Sequence, residues 1–436
     1  MKLRDDIMTE LLSRRRFAGL AGSAALAAGL PRAAFAQAKT LTALGHRVHQ
    51  TAATTGPGGD ATEAFRQASG ASVNWVTFGD VNAVHERLLR EVSLSETTID
   101  VAYLVNGRAV PRNLKLFEPL DALLKDAPIE AFDDFAPGLI APLKTDAGLH
   151  GIPVRHATNA LIYNEAILEE RGVTALPKTF EELADLARKL TFKREDGTQV
   201  NGLAFTAVFA SNFLTLARCL GGDYMTTDGK LVANEPPMVQ ALTLLADFYK
   251  AGVLPRNFAT VNNEEITTWM QQGRAAMTIN PFARLVTYND AAKGKFGGRF
   301  KSLLPPMAAD LAGKTTYAPT VEFWSLMIPK NAKQKPLSWE FIRALSSKAG
   351  TIAMALNGNG PTRISTYADD KLKAAMPYAA DEAAALKASR IHLPAFDEQA
   401  RAHDIFIEET QAAVLGRKPP QQAMDDAVKR VRPLLG

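Results

Sequence analysis

In the stretch TVEFWSLMIPKN (residues 320–331), Val321 to Ile328 reads as a buried strand, short, nearly all apolar and rich in β-branched and aromatic side chains. Glu322 breaks that pattern. A carboxylate taken out of water costs roughly several kcal/mol unless it is paired or hydrogen-bonded. Strand alternation puts Glu322 on the same face as Trp324. Two chemistries follow. The carboxylate either closes a buried ion pair or faces a cleft beside the ring. As a general acid or base it would need a second carboxylate at a matched distance.

Few other motifs compete. His46-x-x-His49 has metal-like spacing but no further ligand in view, and reads as loop. AADLAGKT (308–315) satisfies a loose phosphate-loop pattern, yet the following TYAPTVEFW is β-like and broken by Pro319, where a helix is required. No G-x-S-x-G, H-E-x-x-H or G-x-G-x-x-G occurs in a fitting context. The single cysteine, Cys219, excludes an intramolecular disulfide and cysteine-based zinc or iron–sulfur sites within one chain. The acidic pairs Asp133-Asp134, Glu264-Glu265 and Glu408-Glu409 read as solvated helix faces. No cofactor or metal is expected.

The elements that must position these residues begin with alternation. LTAL (41–44), SVNWVTF (72–78) and IDVAYLV (99–105) read as strands, separated by helices over DATEAFRQASG and from Asp80 to about Ser95. Asp60 and Glu63 predict a capping box, with Gly70 closing the helix. This βαβαβ order predicts a parallel sheet with covering helices. From Gly151 onward GIPV and ALIYN are strand-like. Thr179 and Glu182 form a second capping box, with Phe180, Leu183, Leu186 and Leu190 on one helix face. Helices are also predicted over NEPPMVQALTLLADFYKAG, NNEEITTWMQQG and PLSWEFIRALSSKAG, a strand over AAMTIN, and a mostly helical tail. Trp269 and Trp339 fall on apolar helix faces and read as core.

The chain has 436 residues, 47% hydrophobic and 22% charged, too long for one ordinary core and ordinary in its globular balance. Residues 1–36 read as an export signal: Arg14, Arg15 and Arg16, a weakly apolar run from Phe17 to Leu30, and the cleavage pattern Ala34-Phe35-Ala36. SRRRF resembles the twin-arginine signal, with the general secretory route as the alternative. That segment holds six basic and three acidic side chains, so its removal lowers the formal net charge from +4 to +1. The basic balance is therefore no argument for nucleic-acid binding.

GIPVRHATNALIYNEAILEERGVTALPKTFEELADLARKL resembles the corresponding segment of extracellular solute-binding proteins of the maltose and multi-sugar type, the binding components of ABC importers. ANEPPMVQALTLLADFYKAGVLP, WMQQGRAAMTIN and SLMIPKNAKQKPLSWEFIRALSS follow in the family's order, so the resemblance covers nearly the whole mature chain. It implies an α/β fold of two lobes with a ligand cleft between them and three crossing segments, near Val154–Asn159, Met277–Pro281 and Thr320–Trp324. The expected division is residues 37–155 and 280–320 in the N-terminal lobe, and 156–279 and 321–436 in the C-terminal lobe. It further implies hinge closure on a sugar, no catalysis, permease subunits as partners, and a soluble periplasmic monomer.

On that frame Glu322, Trp324, Arg155, His156, Asn159, Asn280 and Phe282 lie on or next to the crossings. His46, Arg47, Asp80, Asn106 and Arg108 stand at carboxyl ends of strands, where open α/β sheets bind ligands. Gly58 and Gly59 precede a helix start, where free N–H groups favour an anion or hydroxyl oxygens. The arginines with His46 would also suit an acidic sugar. Two other functions stay open, an exported carbohydrate-active enzyme and a receptor presenting its ligand to a signalling partner.

Overall fold

The computed structural model describes residues 39–436; the export signal expected over residues 1–36 lies outside them. Eleven strands are present among the described residues: β1 (Thr40–His46), β2 (Ser72–Phe78), β3 (Val101–Val105), β4 (Lys144–Thr145), β5 (Gly148–Leu149), β6 (Ile152–Asn164), β7 (Phe192–Lys193), β8 (Gln199–Ala204), β9 (Ala275–Pro281), β10 (Phe300–Leu303) and β11 (Val321–Met327). Nine form one sheet in the order β2-β1-β3-β11-β6-β9-β8-β7, with β10 also paired to β6. The β1–β2 and β1–β3 pairs are parallel, as the alternating order predicts.

β6 joins the two halves of this sheet. Residues Ile152 to Thr158 pair with β11, while Asn159 to Tyr163 pair with β9, and Leu161 to Asn164 pair with β10. One apolar core gathers around the first half, with Leu41, Leu44, Val101, Phe323, Leu326, Phe341 and Leu345. A second gathers Leu161, Phe180, Leu183, Phe205, Phe213, Leu242, Phe406 and Met424.

β11 is hydrogen-bonded to β3, Trp324 opposite Val105 and Leu326 opposite Tyr103. β10 pairs with the end of β6 that β9 also uses, while Phe282, Leu285, Tyr288 and Phe300 pack in the first core. A buried apolar strand finds its partner by sheet order, which lies outside its own residues. Of the chain after β11, the helices Gln399–Val414 and Pro420–Val431 pack into the second core.

Local signals fared better. Thr179 accepts from the Glu182 N–H at 3.3 Å, and the Glu182 carboxylate accepts from Lys178 N–H at 2.7 Å, one residue earlier than the box predicts. Asp60 does not cap its helix. It accepts from Thr62 N–H, the Thr62 hydroxyl and Arg66, and the helix begins at Glu63 after Thr62. PLSWEFIRALSSKAG is two helices, Lys335–Ser346 and Lys348–Leu356, the second capped by Ser347 through Gly350 N–H at 3.0 Å.

Candidate functional site

Where the two halves meet, the end of β3, the start of β11, the middle of β6 and the end of β9 lie side by side. They floor a cavity of about 500 Å³. The pairing of β11 with β6 slips between Trp324, opposite Arg155, and Ser325, opposite Pro153. Val154 is the extra residue of this bulge, a device that re-aims neighbouring side chains.

Six expected residues line the cavity: Glu322, Trp324, Asn159, Asn280, Asn106 and Arg108. Glu322 is exposed to the cavity space while its strand neighbours are buried. Surrounding protein raises its pKa by desolvation, against which Arg155 and then the Trp324 indole favour the carboxylate. Trp324 meets the His49 ring edge-on at 4.6 Å, and His49 stacks on Tyr103 at 4.2 Å, so the indole is held by an aromatic stack. Asn106 is fixed by accepting from Phe323 N–H at 3.0 Å, Asn159 by donating to the Asn212 side-chain oxygen at 3.2 Å, and Asn280 by donating to Thr278 Oγ1 at 3.1 Å. Arg108 donates to Asn82 Oδ1 at 3.1 Å.

Six expected residues do not line it. His46 caps the helix Arg47–Thr54, and its Nε2 lies 2.9 Å from the Gly79 carbonyl. Arg47 opens that helix at the surface. Asp80 caps Val81–Val92 through Ala83 N–H at 2.9 Å. His156 is buried between Tyr367 OH at 2.7 Å and Thr158 Oγ1 at 3.0 Å, and burial pushes its pKa down to about 3. Phe282 is fully buried and stacks on Tyr378 at 6.0 Å. Arg155 stands off the wall, within electrostatic reach of Glu322 and Tyr103. Strand ends and crossings locate the cleft, but the covering elements decide which face opens into it. The glycine-rich loop is also spent elsewhere: Gly58 N–H donates to Asn357 Oδ1 at 2.8 Å, and a Cβ on Gly58 would lie 2.0 Å from the Ala353 carbonyl oxygen.

The part of the wall that helices supply was not anticipated. Phe209, Ser211 and Asn212 come from the start of the helix Ala210–Ala217, and Arg284 from the helix after β9. The last wall is Gln399, His403 and Asp404 on the helix Gln399–Val414, with His392 before it. A signal existed: Gln399 and His403 lie four apart, a polar row on a helix face that is otherwise core. His392 and His403 meet at 5.1 Å, edge to face. Burial first, then the neighbouring His403 and Arg218, push the His392 pKa down to about 3. Burial lowers His403 as well, against the pull of Asp404. With both rings neutral, Arg108 and Arg284 balance Glu322 and Asp404 on the lining. Among the described residues no cluster of three or more His, Cys, Asp or Glu is placed to hold a metal ion. No helix among them is long and apolar enough to cross a membrane.

The sequence matches the family model of bacterial extracellular solute-binding proteins over residues 52–352, more than half of the chain. The chain belongs to that family. Among its relatives is a probable amino-acid ABC transporter periplasmic-binding protein of Sinorhizobium fredii, 24% identical over 96% of this chain and 97% of that one. The sn-glycerol-3-phosphate-binding periplasmic protein UgpB of Salmonella paratyphi A is 27% identical over 76% and 77%. The fold of this solute-binding protein is that of two-lobed sugar-binding structures. MalE from Xanthomonas citri superposes with a TM-score of 0.76 at 20% identity, covering 91% of this chain and 97% of that one. The maltose-bound MalE3 of T. maritima gives 0.74 at 22% identity, covering 91% and 100%.

Proposed function

We propose that this protein captures a neutral polyhydroxyl solute, a sugar, oligosaccharide or polyol, and delivers it to the permease of an ABC importer. The observation that carries the reading is the cavity floor. The flat Trp324 ring sits beside the Glu322 carboxylate, with Asn106, Asn159 and Asn280 around them and charges that balance on the lining. A ring covers the C–H faces of a sugar, while carboxylate and amide groups bond its hydroxyls, at about 1.5–3 kcal/mol for each bond to a charged group. The volume lies within the range of small-molecule clefts. The phosphate ester named for UgpB would meet Glu322 and Asp404, which disfavour it.

In this reading residues 39–155, roughly 282–300 and roughly 321–386 form one lobe, with the rest of the chain from residue 156 on as the other. The lobes close about β6, β9 and β11 by hinge motion. Export by the twin-arginine route, cleavage near Ala36, a periplasmic location and a monomeric mature protein complete it. A zwitterionic amino acid is the second reading, favoured by the paired charges of the lining and by the Sinorhizobium relative's name.

A thermal-shift screen of residues 37–436 against neutral sugars, polyols, uronic acids and amino acids tests this. A ligand at about a hundred times its dissociation constant stabilises by roughly 2.7 kcal/mol. Sugars or polyols are expected to raise the melting temperature, and Trp324→Ala and Glu322→Gln to weaken that binding at least about tenfold. Shifts by amino acids alone would move the assignment to the second reading. Consumption of a polysaccharide without any small-molecule shift would replace binding with catalysis.

A further inference from the structure

We propose that Glu322 and Asp404 are specificity determinants that act as a charge filter, admitting neutral solutes to the cleft and rejecting solutes that carry a phosphate. The inference rests on the cavity being the ligand site. Its starting point is that the cleft is not poor in cations. Arg108 and Arg284 both reach the lining, and Arg155, opposite Trp324 on β6, lies within electrostatic reach of Glu322. None of these three is quenched by a close private ion pair among the described residues. Arg108 donates to a neutral amide, Asn82. Arg284 has Glu264 at 3.9 Å, a carboxylate whose side chain is 82% exposed. Arg155 has only the nearby field of Glu322 and Tyr103.

Two guanidinium groups on the lining, with Arg155 nearby, would draw a phosphate, for which arginine is the preferred partner. Two carboxylates oppose that, from different elements. Glu322 rises from the floor on β11, next to the arginine that stands off the wall. Asp404 faces inward from the helix Gln399–Val414. Neither His392 nor His403 adds charge at neutral pH. A neutral hydroxyl can donate to either carboxylate, whereas the ionised oxygens of a phosphate ester carry no proton to donate and are repelled by it. The filter therefore costs a sugar or polyol nothing and penalises its phosphate ester.

The test measures binding of inorganic phosphate and of sn-glycerol 3-phosphate by titration calorimetry at low salt, in the mature wild-type chain and in Asp404→Asn, Asp404→Lys and Glu322→Gln/Asp404→Asn. Asp404 is exposed, so its single variants fold whether or not Glu322→Gln leaves Arg155 without its counter-charge. Wild type is expected to bind both anions weakly or not at all. Affinity should rise about tenfold in Asp404→Asn and further in Asp404→Lys and the double variant. The gain should shrink as salt is raised. Affinities for both anions that stay within twofold of wild type in the Asp404 variants, or that are undetectable in every variant, overturn the filter. So does a wild type that binds either anion as tightly as Asp404→Lys. A wild type that binds no neutral solute refutes the proposed function instead, and leaves this comparison readable.

Discussion

At the scale of single residues, a carboxylate's surroundings decide its role. Glu322 and Glu382 both break apolar surroundings in the sequence, yet only Glu322 opens to the cavity. Glu382 is 1% exposed in the helix Ala379–Ala388, and its Oε2 has no partner among the described residues. Burial pushes its pKa up to about 8, with Tyr367 as the modest opposing influence. An ordinary glutamate titrates near pH 4.3. The folded pKa lies above the unfolded one. The contribution of Glu382 is therefore fully present below about pH 4, and is lost progressively as pH climbs to about 8. Glu382→Gln keeps the shape and removes the ionisation. Melting curves across pH 5–9 are expected to show the variant gaining on wild type as pH rises, by at least about 2 °C at pH 8.5. Parallel curves would mean that Glu382 does not ionise on unfolding in that range. The strand pattern around Glu322 was readable in the sequence; the reason Phe282 and His156 miss the cavity was not. Both sit at positions the crossings favour, but Tyr378 and Tyr367, distant in sequence, cover them.

At the scale of elements, legibility follows the reach of the interaction. Caps and helix faces are set within four residues, so β2 and the helix Phe180–Lys189, with its Thr179 cap and its buried Phe180, Leu183 and Leu186, were present in the sequence pattern. The βαβαβ start was equally plain. The place of β11 was not, because its partners β3 and β6 lie more than 150 residues upstream. The wall made by Gln399, His403 and Asp404 was hidden for the same reason: a helix periodicity reveals a polar row without saying what it faces. The local part of the argument has its own check. Thr179→Ala removes the bond to Glu182 N–H and leaves the first turn of its helix one acceptor short. Chemical denaturation is expected to show a loss of about 1 kcal/mol with the denaturant slope unchanged. A loss below a few tenths would mean that the Lys178–Glu182 bond holds the turn alone.

For the whole molecule, what matters is how the two lobes touch away from the strands that join them. Arg112, in the short helix Pro111–Leu114 whose Leu114 packs in the first core, reaches the start of the helix Gln399–Val414, which packs in the second. Its backbone N–H donates to Asp397 Oδ1 at 2.7 Å, and its guanidinium to Glu398 Oε1 at 2.9 Å. The same helix carries His403 and Asp404 to the cavity, so a contact at its start bears on how that wall meets Glu322 and Trp324. Arg112→Glu sets a third carboxylate against Asp397 and Glu398 and pushes the lobes apart. An exposed pair of this kind is worth roughly 0.2–1 kcal/mol, and reversing one charge replaces that gain with repulsion. If binding requires the lobes to approach, the apparent affinity falls with the fraction of closable molecules. Small-angle scattering of the ligand-free variant is expected to show a larger radius of gyration than wild type. Affinity for the solute found in the screen should be about fivefold weaker, with both effects fading as salt is raised. An unchanged radius with unchanged affinity would show that the joining strands alone set the lobe angle.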